Sequence, residues 1–197
     1  MKKGVLPFAA FALALTTGSA IAGHEQLLWG QEGNLGSNIL LSDNDAAATD
    51  DFVVPANHAW RITKVEVAGQ YVEGAGPATS QVVTFYAPQK LKPGRIQAGP
   101  YTVNCTDNDG RLRCALPKSV SLKSGTWWVS VVANCDVETC GQWGWTESTV
   151  VQGFEAMWRG PGGNGKCTRN FKPIHGCFGG PPVDLAFKLL GTSHNLK

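Results

Sequence analysis

Six cysteines fall in three close pairs, Cys105 and Cys114, Cys135 and Cys140, Cys167 and Cys177. Thiols so spaced restrict the fold to one whose hairpins and loops they can staple. Six cysteines admit fifteen connectivities, and pairing of sequence neighbours gives 105–114, 135–140 and 167–177. Each such bridge closes a small loop and contributes roughly 2–3 kcal/mol through the lost entropy of the unfolded chain. No C-x-x-C occurs, so the spacing does not favour a structural zinc site. Disulfides of this density belong to an oxidising compartment.

The N-terminus agrees with export. MKKGVLPFAAFALALTTGSAIAG carries two lysines, an apolar run from Val5 to Leu15, and Ala20 and Ala22 in A-x-A spacing. This reads as a signal peptide over residues 1–22, with a bacterial Lys-Lys start and a secreted or periplasmic mature chain. The mature chain is expected to form a single domain over residues 23–197. No segment approaches the ~20 apolar residues of a transmembrane helix. The leader's Lys2 and Lys3 account for the whole formal charge of +2, so the mature chain is neutral. A neutral chain with scattered charges is not built to bind nucleic acid, whose affinity rests on neutralised phosphates.

Strand patterns dominate the remainder. SQVVTFYAP is β-branched and aromatic, and TWWVSVVAN sets Trp127, Val129, Val131 and Ala133 against Trp128, Ser130, Val132 and Asn134. PVDLAFKLL sets Val183, Leu185, Phe187 and Leu189 against Asp184 and Lys188. DFVVP, WRITKVEV, RLRCALP and FEAMWR read as further strands. Gly, Pro or β-branched residues interrupt every window long enough for a helix. In CTDNDGRLRC the turn residues between Cys105 and Cys114 signal a hairpin. Short strands joined by polar turns predict an all-β, antiparallel β-sandwich with disulfide-stapled hairpins and loops.

ATDDFVVP, WRITKVEVAGQYVEGAGPATSQVVTFYA, GTWWVSVVAN, GQWGW, WRGPGG and PVDLAFKLLG occur in this order. From about Ala48 to Gly191 the chain thereby resembles a group of exported bacterial β-sandwich domains. The resemblance implies a jelly-roll-like fold and carries no activity with it. The Cys135–Cys140 loop is an addition to that pattern.

Four groups of residues are candidates for function. In GQWGWTES, Trp143, Trp145 and Glu147 share one strand face and Gln142, Gly144, Thr146 and Ser148 the other. The second face has little to bury, so the tryptophans are expected in the core. The alternative is a flat aromatic platform for sugar rings, with Trp128 as a separate candidate because Ser130 and Asn134 make its face the wetter one. The acidic segment LSDNDAAATDDF offers Asp43, Asp45, Asp50 and Asp51 as oxygen ligands for structural calcium; the same residues also favour turns without a metal. From Gly160 to Pro182 runs a basic, glycine- and proline-rich loop carrying Lys166, Arg169 and Lys172, suited to an acidic partner. Its GPGGNGKCT lacks the Ser or Thr and the helix that a phosphate-binding loop requires.

Catalytic patterns are absent: no H-E-x-x-H and no G-x-S-x-G occurs. Glu147 and Glu155 are the one carboxylate pair available for glycoside hydrolysis. The sequence therefore points first to a secreted, non-enzymatic module binding a glycan or cell-surface partner. The alternatives are a polysaccharide-acting hydrolase, or an inhibitor or adhesin that meets an extracellular protein through the basic loop.

Overall fold

A computed structural model describes residues 24–33, 39–42, 45–148, 150–160, 167 and 169–196. The expected signal peptide, Asp43 and Lys166 lie outside the described residues. In chain order the elements are β1 (Gln26–Gln31), β2 (Ile39–Leu41), β3 (Ala47–Val67), β4 (Gly69–Val72), β5 (Ser80–Gln89), β6 (Lys92–Val103), β7 (Thr106–Asn108) and β8 (Arg111–Asn134). They continue with α1 (Val137–Cys140), β9 (Gln142–Thr146), β10 (Met157–Arg159), β11 (Lys172–Pro173), α2 (Ile174–Phe178) and β12 (Phe187–Asn195). A large antiparallel sheet has the order β1-β12-β3-β8-β5-β6, and a small one has the order β2-β9-β4. The chain is an all-β, sandwich-like fold.

Two long strands form the spine, and each joins segments that the sequence pattern reads as separate. DFVVP and WRITKVEV are two arms of β3, while RLRCALP and TWWVSVVAN are two arms of β8. Between the pairs Val54–Gly125 and Ala59–Lys123, β3 advances five residues while β8 advances two. Between Ile62–Val120 and Lys64–Ala115 the excess passes to β8. Pro55 and Pro117 fall in these two bulges. A proline cannot donate to a ladder, so a bulge accommodates it and bends the strand. The strand from PVDLAFKLL begins only at Phe187, and that from FEAMWR only at Met157.

The core lies between the bent large sheet and the small one. Phe52 stacks on Trp60 at 6.2 Å between ring centroids and meets Phe85 edge-on at 6.3 Å. From the small sheet Trp143 and Trp145 project into this core, and Trp145 meets Phe187 edge-on at 6.1 Å. Gly69 opposes Trp145 in the ladder, and a Cβ there would fall 2.3 Å from the Trp143 ring. Only glycine admits the indole at that position.

Disulfides join Cys105 to Cys114, Cys135 to Cys140 and Cys167 to Cys177. The first staples the β7–β8 hairpin, the second the α1 turn before β9, and the third brings α2 back onto the chain leaving β10. Among the described residues no helix is long and apolar enough to cross a membrane.

Candidate functional site

Trp128, Trp143 and Trp145 are each 0% exposed. None of them presents a ring face to a ligand, so no aromatic platform exists at these positions. The β9 indoles also satisfy their N–H groups internally: Trp143 Nε1 donates to the Gly110 carbonyl at 2.9 Å and Trp145 Nε1 to that of Ala186 at 2.8 Å. Trp128 lies on the opposite face of the large sheet, the one that Ser130 and Asn134 mark as wetter. That face is covered. Trp128 forms a second apolar cluster with Tyr86 and Met157, closed by Phe154 and Phe171. Phe154 stacks on Trp128 at 6.2 Å. Ser130 Oγ donates to the Ala48 carbonyl at 2.6 Å, so the polar residue on that face bonds the neighbouring strand instead of water.

The acidic residues separate in a way their sequence spacing does not reveal. Asp45 sits exposed in a turn, whereas Asp50 and Asp51 are buried in β3. Of the set proposed for calcium, the described Asp45, Asp50 and Asp51 therefore do not share one exposed turn. Asp50 instead meets Asp184, which is itself 0% exposed although its alternation with apolar neighbours places it on the polar face. Gln31 bridges the two: its Nε2 donates to Asp184 at 2.9 Å and to Asp50 at 3.4 Å. Among the described residues no group of three or more His, Cys, Asp or Glu side chains is arranged to hold a metal ion.

These carboxyls act as clamps on backbone amides. Asp50 accepts from the amides of Asp51 at 2.8 Å and Leu185 at 2.7 Å. Asp51 accepts from Phe154 at 2.8 Å, and Asp184 accepts from Gln152. Gly153, at φ 89°, lies so close that a Cβ would fall 2.5 Å from Asp51 Oδ2. The segment after β9 is thereby drawn over Trp128. Burial, reinforced by the Asp184 charge, pushes the Asp50 carboxyl well above its ordinary range. Burial likewise raises Asp51 to about 7, against the opposing Phe154 amide, and Asp184 to about 6. Asp51 Oδ2 and Asp184 Oδ1 are buried without a hydrogen-bond partner among the described residues, in keeping with the upward direction of these shifts, since burial disfavours the charged carboxylate.

Glu147 and Glu155 are held in different ways. Glu147 forms an isolated bridge with Leu185. Glu155 accepts from the His175 amide at 2.6 Å and pairs with His175 Nδ1, so it anchors the start of α2. Neither lines the cleft of about 210 Å³ where β1, β12, β3 and β8 end. That cleft has charged walls, but Arg113 pairs with Glu66 at 3.2 Å and Lys188 with Glu32 at 2.7 Å. Its aromatic floor residue, Phe187, is only 2% exposed, so no ring is available for stacking.

The outward-facing groups gather instead on the stapled loop. Phe171 meets Tyr86 edge-on at 5.7 Å, and the Arg159 guanidinium lies 4.7 Å from the Phe171 ring centroid. Arg169 and Lys172 are exposed. Phe178 is 51% exposed while contacting Trp158 edge-on at 5.0 Å. The Cys167–Cys177 bridge holds the two sides of this loop together. The result is a braced surface of cations and partly exposed rings. Phe178 lies within the glycine- and proline-rich segment from Gly160 to Pro182 and Arg159 directly before it, so both belong to the loop that the sequence marks as basic and aromatic-bearing. A scan against models of known protein families matches none, and a search of the curated proteins finds no match to this chain.

Proposed function

We propose that the chain is an exported, non-enzymatic binding module for an anionic glycan or cell-surface partner. Recognition runs through the stapled loop around Arg159, Arg169, Lys172 and Phe178 rather than through the tryptophans. The observation that carries this reading is the division of aromatic residues. Trp128, Trp143 and Trp145 are spent on cores, while Phe178 remains half exposed on a disulfide-braced loop that also carries the exposed Arg169 and Lys172. Bracing matters because a loop ordered before binding loses less entropy on binding. Guanidinium groups also recognise carboxylate and sulfate oxygens with fixed geometry. The three disulfides support an oxidising destination, which suits a surface or extracellular partner and the export signal read from the sequence.

An array of neutral and acidic glycans, probed with the mature chain and with an Arg169→Glu/Lys172→Glu variant, tests this reading. Signal on acidic glycans that the double charge reversal abolishes is the expected result. Signal confined to neutral glycans, or indifferent to the reversal, would overturn it. The hydrolase reading requires two carboxylates facing a cleft, and Glu155 is committed to His175.

A further inference from the structure

We infer that the β5–β6 hairpin is a docking finger for anionic lipid surfaces, a contact beyond the stapled loop and independent of it. β6 is an edge strand of the large sheet, and Lys90 and Leu91 form the two-residue turn that joins it to β5. Leu91 is 62% exposed and Ile96, five residues past the turn on β6, is 49% exposed. Lys90, Lys92 and Arg95 flank them in the sequence, and all three are exposed. No acidic residue occurs between Glu73 and Asp107, so no carboxylate in this stretch offsets these cations.

Lysine and proline on an edge strand have a general use, since they discourage pairing with another sheet. That explains Lys92 and Pro93. It does not explain a leucine at the tip, where polar turn residues are the rule. Nor does it explain the backbone. Lys90 holds φ 59°, a left-handed conformation that favours glycine at the first central position of such a turn. A non-glycine residue kept there at a conformational cost, beside the most exposed of the large apolar side chains described, is the kind of local outlier that marks a functional position. The chemistry it selects has two parts. Cations near a membrane are drawn to anionic headgroups, while apolar side chains between them enter the boundary of the acyl region. A soluble polyanion uses the first part only.

Sedimentation with vesicles of phosphatidylglycerol and phosphatidylcholine, against vesicles of phosphatidylcholine alone, provides the test. The mature chain is expected to sediment with the anionic vesicles at low salt and to be released as salt rises. Removing each of Lys90, Lys92 and Arg95 by substitution with Gln should weaken partition about fivefold, and Leu91→Ser about tenfold. A Leu91→Trp variant should shift its emission to the blue on the anionic vesicles. The Arg169→Glu/Lys172→Glu variant should retain vesicle binding, which separates this proposal from the loop. Absence of binding at low salt would overturn it. So would binding that Leu91→Ser leaves intact and dextran sulfate competes away, because the hairpin would then be a site for soluble polyanions. Leu91 and Lys90 lie at the surface of a two-residue turn, so these variants are expected to fold, and denaturant melts verify it.

Discussion

Strand β9 and the β5–β6 hairpin put large apolar side chains to opposite uses. In β9, Trp143 and Trp145 point into the space between the two sheets and are fully buried. At the hairpin tip Leu91 is 62% exposed, although it is smaller and easier to bury. The difference is one of support rather than hydrophobicity. β9 has strands on both sides, β2 and β4, and a large sheet to face. The hairpin belongs to an edge strand and extends past its partners, so its tip has no layer to pack on. Aromatic content alone therefore says little about where this protein meets other molecules. Position within the layers decides it.

The sharpest way to break the comparison is to truncate its buried half. Trp143→Ala or Trp145→Ala should cost ~3–5 kcal/mol in chemical denaturation, as aromatic truncation in a core does. Each indole also leaves a carbonyl partner, Gly110 or Ala186, without its donor. Leu91→Ser should move the same midpoint by less than ~0.5 kcal/mol, as surface substitutions do. Equal small effects at both places would mean that β9 is not a core strand.

A smaller effect is expected where the braced loop meets the body. Replacing Cys167 and Cys177 by Ala opens a loop whose ends are ten residues apart. The loss should be roughly 2–3 kcal/mol from the unfolded-chain entropy alone. Binding to acidic glycans should fall further than stability does, because the loop then loses its preorganisation. Unchanged affinity in the folded double variant would detach recognition from the bracing.

How much of this was legible from the residues can be argued at particular positions. Alternation in TWWVSVVAN and in QWGWT identified the strands, because a strand with one face to bury has to show a period of two. The inward turn of Trp143 and Trp145 followed from their neighbours, which offer little to fill a core. The bends were not legible: Pro55 and Pro117 read as strand ends, whereas each strand continues past its proline through a bulge. The burial of Asp184 was not legible for a related reason. A lone carboxylate alternating with apolar residues looks solvent-facing, and the partners that bury it are distant in the chain. Gln31 lies 153 positions away, and the Asp50–Leu185 bond spans 135. The cover over Trp128 comes from a segment with no periodic pattern of its own, so nothing local announced it.

The buried carboxyls give the comparison a pH axis. Burial raises Asp51 from its ordinary 3.8 to about 7 and Asp184 to about 6. A carboxyl raised on folding contributes most below its unfolded value, and the contribution is lost as pH rises through the folded one. Stability should therefore decline between about pH 4 and pH 7. We expect a loss on the order of 1–2 kcal/mol, discounted for partial screening. Asp51→Asn should flatten the profile, since the amide oxygen still accepts from Phe154 and no proton is lost. A melt midpoint that rises from about pH 4 to pH 7 would reverse the assignment of charge states.

The smallest effect concerns Lys90 and sharpens the hairpin half. At φ 59° a lysine is strained where a glycine is not. Lys90→Gly should relieve that strain, and the gain is offset in part by the greater freedom of glycine in the unfolded chain. A net stabilisation of roughly 0.5 kcal/mol is expected. The same substitution removes one of three cations beside Leu91, so partition onto anionic vesicles should drop about fivefold. Stability and binding thus move in opposite directions at one residue, which few structural defects imitate. A variant that loses both would mark Lys90 as a packing residue. One that gains stability and keeps its full vesicle affinity would leave the tip without a role in docking, and the exposed leucine would then need another explanation.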